Sequence, residues 1–245
     1  MITCICISEG RPQLFPIAYQ SWLDQGDYRK LRAMLVLIVP DTEHDAYWEA
    51  TGGRGAVGLA REEGQSVPNE IDYMVRMSIN NYFMTWDDDD WSPPDRIART
   101  AAALKETGKE PVVVSYNKGF FVNLRSLNGH LVECDPWPLW GGCLAWNRAA
   151  WDLAGGFHNR TCPGYDRSFV EDVQARGGKV VTLEGGEGTL PVAFSHGKNV
   201  ATFLRHQGRP MEGDLRKWMS AESFAAVKRA QAWLIERRIF PQWAV

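Results

Sequence analysis

Tyr82-Phe83-Met84-Thr85-Trp86-Asp87-Asp88-Asp89-Asp90-Trp91-Ser92-Pro93-Pro94-Asp95-Arg96-Ile97 decides how the rest of the chain is read. An apolar, β-prone run stops at four acids, and a Pro-started helical stretch follows. This is the pattern of a buried strand that delivers charge to its carboxyl end, the edge of an open α/β sheet where ligands bind. Adjacent carboxylates repel one another unless a cation or a set of donors holds them, and a hard divalent ion such as Mg²⁺ or Mn²⁺ prefers carboxylate oxygens. An isolated acidic block usually only faces water. The strand in front of this one and the helix behind it argue for a site.

The composition sets the frame. A chain of 245 residues with 44% hydrophobic and 23% charged residues suits one large globular α/β domain, or a domain with a modest extension. The longest clean apolar run, residues 33–39, is far short of the roughly 20 that a bilayer requires. Residues 1–7 lack the basic start and length of a signal peptide, so a cytoplasmic protein is expected. Five cysteines with no CxxC pair predict reduced thiols rather than disulfides or zinc. A net charge of -3 argues against strong general attraction to nucleic acid or membrane. From Lys198 onward, nine Lys or Arg face four acids, and this basic segment would suit an anionic acceptor or simply a solvated helix face.

Outward from the acids, strands are predicted at residues 3–8, 33–39, 56–60, 82–86, 112–116, 179–183 and 192–195, with a hairpin at 120–124 and 130–132. Helices are predicted at 12–23, 42–50, 70–79, 95–107, 147–154 and 220–240, and another carries Asp166. The last is amphipathic, with Phe224, Val227, Ala230 and Leu234 on one side. Core packing is its default, and a homodimer through it or contact with a membrane surface are the alternatives. Gly53-Arg54-Gly55-Ala56-Val57-Gly58 spells GxGxxG, but a helical stretch precedes it where the dinucleotide fingerprint needs a strand. Trp137 and Trp140, on a Pro- and Gly-rich stretch, are candidates for an acceptor platform.

The segment Trp86-Asp87-Asp88-Asp89-Asp90-Trp91-Ser92-Pro93-Pro94-Asp95-Arg96-Ile97 resembles the DxD segment of family 2 glycosyltransferases, and similar motifs follow in order over residues 1–200. The resemblance implies a GT-A fold, Rossmann-like with a mostly parallel central sheet flanked by helices, here with a C-terminal helical extension. Residues 1–116 would form the nucleotide-binding half, 117–200 the acceptor half and 201–245 the extension. A divalent ion, Mn²⁺ or Mg²⁺, would sit on Asp87 and Asp89, with His196 of His196-Gly197-Lys198-Asn199 completing the shell. A nucleoside-diphosphate sugar, a UDP-sugar favoured, would be held by Ser8, Arg11, Asp41, Arg76, Asp87, Asp88, Gly142 and Lys198.

Some of these positions depart from the family pattern. Pro40 replaces the first acid of the usual pair before Asp41, which otherwise reads as a helix N-cap. The family's Arg-Asn pair is missing, and Asn69 and Arg76 stand in for it. Tyr165 occupies the place of a Glu beside Asp166, while Phe169 and Gly177 keep the motif's frame. Asp166 would then be the general base, its ionised form favoured by a helix N-terminus, or else a simple cap. Glu171-Asp172 is a rival acidic pair that comes too late, in mid-helix.

The expected activity is metal-dependent inverting transfer of a sugar to an acceptor hydroxyl. Glycan, lipid carrier, protein and modified nucleic acid all remain as acceptors. A non-catalytic nucleotide- or carbohydrate-binding relative and a sugar-1-phosphate nucleotidyltransferase are the alternatives. The second would need a Gly-rich loop after the first strand, and Ser8-Glu9-Gly10-Arg11 offers one Gly.

Overall fold

The computed structural model describes residues 1–8, 10–26, 28–52, 57–61, 65–133, 141–157, 164–186, 188–196, 209–211 and 214–237. Its strands are β1 (Ile2–Ile7), β2 (Ala33–Pro40), β3 (Val57–Arg61), β4 (Tyr82–Thr85), β5 (Val112–Tyr116), β6 (Lys118–Asn123), β7 (Gly129–Glu133), β8 (Ala145–Asn147), β9 (Lys179–Leu183), β10 (Val192–Ser195) and β11 (Arg209–Pro210). Its helices are α1 (Phe15–Leu23), α2 (His44–Ala50), α3 (Val67–Met77), α4 (Arg96–Glu106), α5 (Arg148–Ala154), α6 (Tyr165–Ala175), α7 (Leu215–Trp218) and α8 (Ala221–Glu236). Short 3₁₀ turns lie at Asp41–Glu43 and Gly141–Cys143.

A seven-stranded sheet in the order β3-β2-β1-β4-β8-β5-β9 forms the centre. Every neighbouring pair in it is parallel except those made by β8, which runs antiparallel to both β4 and β5. Side-chain alternation divides the core in two. Cys4, Cys6, Leu35, Leu37 and Val39 face α1 and α8, whereas Ile5, Val36 and Ile38 face the side covered by α3, α5 and α6. A second sheet, β10-β6-β7-β11, contains the expected hairpin as the antiparallel pair β6–β7. It is joined to the acidic segment by a two-bond bridge between Trp91 and Val192, N–H to O 2.9 Å in each direction.

The helices begin and end where local chemistry dictates. Asn147 caps α5 by accepting from Ala150 N–H at 2.9 Å, and Gly155 ends it in the left-handed region (φ 78°) that glycine takes without strain. Helix α3 starts at Val67, earlier than the predicted 70, because Pro68 falls in its first turn, where a missing N–H costs nothing. Ser220 caps α8 through Ser223 N–H at 3.0 Å, and Val227, Ala230 and Leu234 are buried against the body. Asp24, just after α1, accepts from Ser220 and Ser223 hydroxyls at 2.5 and 2.8 Å, tying the C-terminal helix to the first one. The apolar face of α8 is therefore spent on intramolecular packing. Among the described residues, no helix is long and apolar enough to cross a membrane.

The candidate active site

Parallel strands bring their carboxyl ends to one edge of the sheet. At this edge β1 runs into Ser8–Arg11, β2 into Asp41 and β4 into Asp87–Asp90. Because β8 is reversed, its leading segment Gly141–Leu144 arrives at the same edge, and Thr85 N–H donates to Leu144 O at 2.9 Å. Helix α6 returns toward the start of β9, so its N-terminus, with Asp166 in the first turn, also lies here. The bridge from Trp91 carries β10 alongside, and Phe194 N–H donates to Asp90 Oδ1 at 3.0 Å, placing His196 beside the acids.

The acids are held unequally. Asp88 (1% exposed) receives the Ser8 hydroxyl and Arg11 Nη2, the latter at 2.7 Å on Oδ1. Asp89 (6% exposed) receives Arg11 Nη1 at 2.7 Å on Oδ2, and His196 Nε2 lies 2.8 Å from the same oxygen. Burial alone would raise Asp89, but Arg11 and His196 hold its carboxyl below the usual range. Burial and the neighbouring Asp89 charge push Asp87 up to about 7 and Asp88 up to about 8, and raise Asp90 as well. The site therefore contains more carboxylate than its own cations neutralise.

Two glycines make room for this crowding. A Cβ at Gly142 would fall 2.1 Å from Asp87 Oδ2, and one at Gly141 would fall 2.6 Å from the Tyr165 hydroxyl and 3.5 Å from Asp166 Oδ2. Asp87 and Asp166 thus approach the same Gly-Gly backbone from two elements. Burial raises Asp166 despite opposing hydrogen bonds from the Arg167 and Asp166 backbone N–H groups. Its helix N-terminus acts in the expected sense, but desolvation outweighs it.

The other expected residues are placed as follows. Ser8 is buried and its hydroxyl lies between Asp88 and the Tyr47 hydroxyl, so it braces the loop internally. Asp41 is exposed at the end of β2, inside the 3₁₀ turn, and Glu43 rather than Asp41 holds the N-cap position of α2. The turn beside it is tied to α2 and the 3₁₀ turn by Gly10 N–H to Glu43 Oε2 at 2.8 Å and Arg11 N–H to the Tyr47 hydroxyl at 3.2 Å. Arg76 lies over the Trp151 ring, 5.9 Å from its centroid, in the last turn of α3. That turn leads into the start of β4, so Arg76 sits at the opposite edge of the sheet from the acids, and the expectation of a donor contact there does not fit the topology. Lys198, Trp137, Trp140, Cys134 and Cys162 lie outside the described residues. Among the described residues, Cys4, Cys6 and Cys143 are buried free thiols.

Arg96 is a bracing residue of this edge that the sequence patterns did not single out. It opens α4, is 2% exposed, and donates to Ser92 Oγ (2.8 Å), Thr85 O (2.7 Å) and Gly142 O (2.6 Å), with its guanidinium 4.8 Å from the Trp86 ring centroid. It clamps the end of β4 to the glycine segment and so sets the distance across the site. One signal was visible: a cation at the first position of a helix is electrostatically out of place unless it has acceptors elsewhere.

The donor set suits a hard divalent ion chemically, since carboxylates and an imidazole are common ligands. The 2.8 Å between Asp89 Oδ2 and His196 Nε2 is close to the ~3 Å expected of two adjacent ligands at ~2.1 Å in an octahedral shell. The third ligand is not in line: Asp87 lies against Gly142, and among the described residues no three His, Cys, Asp or Glu side chains are arranged to hold a metal ion.

No protein-family model and no curated protein matches the chain. Solved structures do. The mannosyltransferase PcManGT from Pyrobaculum calidifontis, in complex with GDP-Man and Mn²⁺, matches with a TM-score of 0.58 at 18% identity, over 78% of this chain and 56% of its own. S. aureus TarS 1-349 gives 0.53 at 11% identity over 79% and 60%, and its complex with UDP gives 0.55 at 12% over 96% and 65%. The chain thus spans between 56% and 65% of the length of these structures. The likeness shows the fold: a mostly parallel central sheet flanked by helices, the GT-A arrangement of glycosyltransferases.

Proposed function

We propose that this chain is a glycosyltransferase that moves a sugar from a nucleoside-diphosphate sugar to an acceptor hydroxyl. The observation that carries this reading is the meeting of Asp87–Asp90, Gly141–Gly142, Asp166 and His196, from four separate segments, at the carboxyl edge of one sheet. Asp166 takes the proton from the acceptor hydroxyl as its oxygen attacks the anomeric carbon. The bond from that carbon to the diphosphate breaks, and the nucleoside diphosphate leaves. One base and a single displacement give inversion. Asp87, Asp89 and His196 would hold a divalent ion, which when bound neutralises charge on the departing diphosphate. Asp88 and Ser8 keep the loop of Arg11 in register, and Gly142 lets the donor pass close to the backbone. Asp41 is the residue we assign to recognition of the nucleobase of the donor, and we favour a UDP-sugar and a cytoplasmic location. Residues 1–116 serve the nucleotide and 117–200 the acceptor.

The test is a panel of nucleotide sugars with Mn²⁺, Mg²⁺ or EDTA, read by thermal shift and by release of nucleoside diphosphate. One donor is expected to stabilise the protein in the presence of a divalent ion and to be hydrolysed slowly. Silence toward every donor with every ion overturns the proposal.

Gly142→Ala should be nearly as damaging as loss of a catalytic group. The added methyl falls on a short carboxylate side chain that is packed among other acids. Asp87 must swing away, and an ångström of misplacement costs on the order of 10²-fold in rate. Turnover should fall by about that factor with a circular-dichroism spectrum unchanged; full activity in this variant would show that Asp87 works from another position.

A further inference from the structure

Arg11 bridges two different acids with one nitrogen each, Asp88 Oδ1 and Asp89 Oδ2, both at 2.7 Å. Its side chain is 14% exposed, and its third nitrogen, Nε, is buried with no partner among the described residues. The enclosed Arg96 shares an unpartnered Nε, so what sets Arg11 apart is its partial exposure and its acceptors, two carboxylates rather than carbonyls and a hydroxyl. Arg11 is also mounted on a turn rather than on a strand or helix, following Gly10 in the left-handed region (φ 69°). It occupies one of the two carboxylate oxygens of Asp89, the same oxygen that faces His196.

We propose that Arg11 is the resident counter-cation of the acidic cluster and competes with a divalent ion for Asp89, so that it must leave Asp88 and Asp89 for the ion to bind. The inference rests on the glycosyltransferase reading for the identity of the ligands. Once displaced, the guanidinium carries an unused Nε–H and two released Nη groups, the fork that binds a phosphate oxygen pair. Arg11 therefore couples the two ligands: a diphosphate draws it off the carboxylates, and the ion then finds Asp89 open. Divalent affinity is low without nucleotide and rises with it.

Mn²⁺ binding to the full chain, measured by electron paramagnetic resonance without nucleotide, tests this directly. Arg11→Gln is expected to tighten Mn²⁺ at least tenfold, because the internal competitor is gone. The same variant should lose the effect of UDP on Mn²⁺ affinity, which the parent protein shows as a clear tightening. Arg11→Lys, which keeps the charge but cannot bridge both acids, should fall between the two and serves if the Gln variant does not fold. Unchanged or weaker Mn²⁺ binding in the variants overturns the proposal, as does absence of Mn²⁺ binding in all three proteins. UDP binding by calorimetry in EDTA separates the two readings: if it persists while Mn²⁺ binding is unaltered by the substitutions, the competition fails and the nucleotide site stands.

Discussion

Asp166→Asn is expected to reduce turnover by about 10²–10⁴-fold, the range supplied by a positioned general base, while donor affinity stays within about twofold. Asn keeps the shape and the helix-terminal hydrogen bonds but cannot accept a proton. Donor hydrolysis or transfer, followed by nucleoside diphosphate release, gives the rate, and calorimetry with the nucleotide gives the affinity. Burial raises the Asp166 carboxyl, so the protonated, inactive form persists to higher pH than in an ordinary aspartate. The rate of the parent protein should therefore fall with decreasing pH on a limb that lies above the usual ~3.9, and the Asn variant should lack that limb. Equal loss of affinity and rate would instead mark Asp166 as part of the donor pocket.

The second large effect is expected at Arg96, and it is one of stability. Arg96→Met removes three hydrogen bonds from a fully enclosed guanidinium and leaves the carbonyls of Thr85 and Gly142 without their charged donor. Unsatisfied buried acceptors cost ~1–3 kcal/mol each, so a loss of about 2–5 kcal/mol is expected once relief of the buried charge is set against it. Urea unfolding with unchanged slope would report this. Arg96→Lys should recover only part, because one ammonium cannot span Ser92, Thr85 and Gly142 as the planar fork does. An unfolding midpoint equal to that of the parent protein would show that water replaces the clamp at little cost.

Most of the architecture was legible from short stretches. The strand 112–116 was read to the residue, the hairpin pair and the capped helix after Asn147 nearly so, because hydrophobic runs, Pro, Gly and an Asn cap act locally. The boundaries that moved did so for local reasons too, as at Pro68 in the first turn of α3. Arg76 illustrates the opposite case. Its type was right for a nucleotide contact, but the end of the helix on which it sits is a matter of chain direction through the sheet, and that direction carries it to the wrong edge.

The sequence by itself determined that four carboxylates follow a buried strand, that Asp166 opens a helix and that a short final strand precedes His196; each depends on residues within a few positions of one another. Only the tertiary structure decided that these meet. The reversal of β8 brings Gly142 to Asp87, the Trp91–Val192 bridge brings His196 to Asp89, and Arg11 and Arg96 find their acceptors across 78 and 46 residues of chain respectively. The reason is physical: periodicity and propensity act over a few residues, whereas the fate of a charge depends on burial and on partners that arrive from elsewhere in the chain. A guanidinium read from sequence is a surface cation by default; enclosed beside the carbonyls of Thr85 and Gly142, that of Arg96 becomes the element that fixes the geometry of the site.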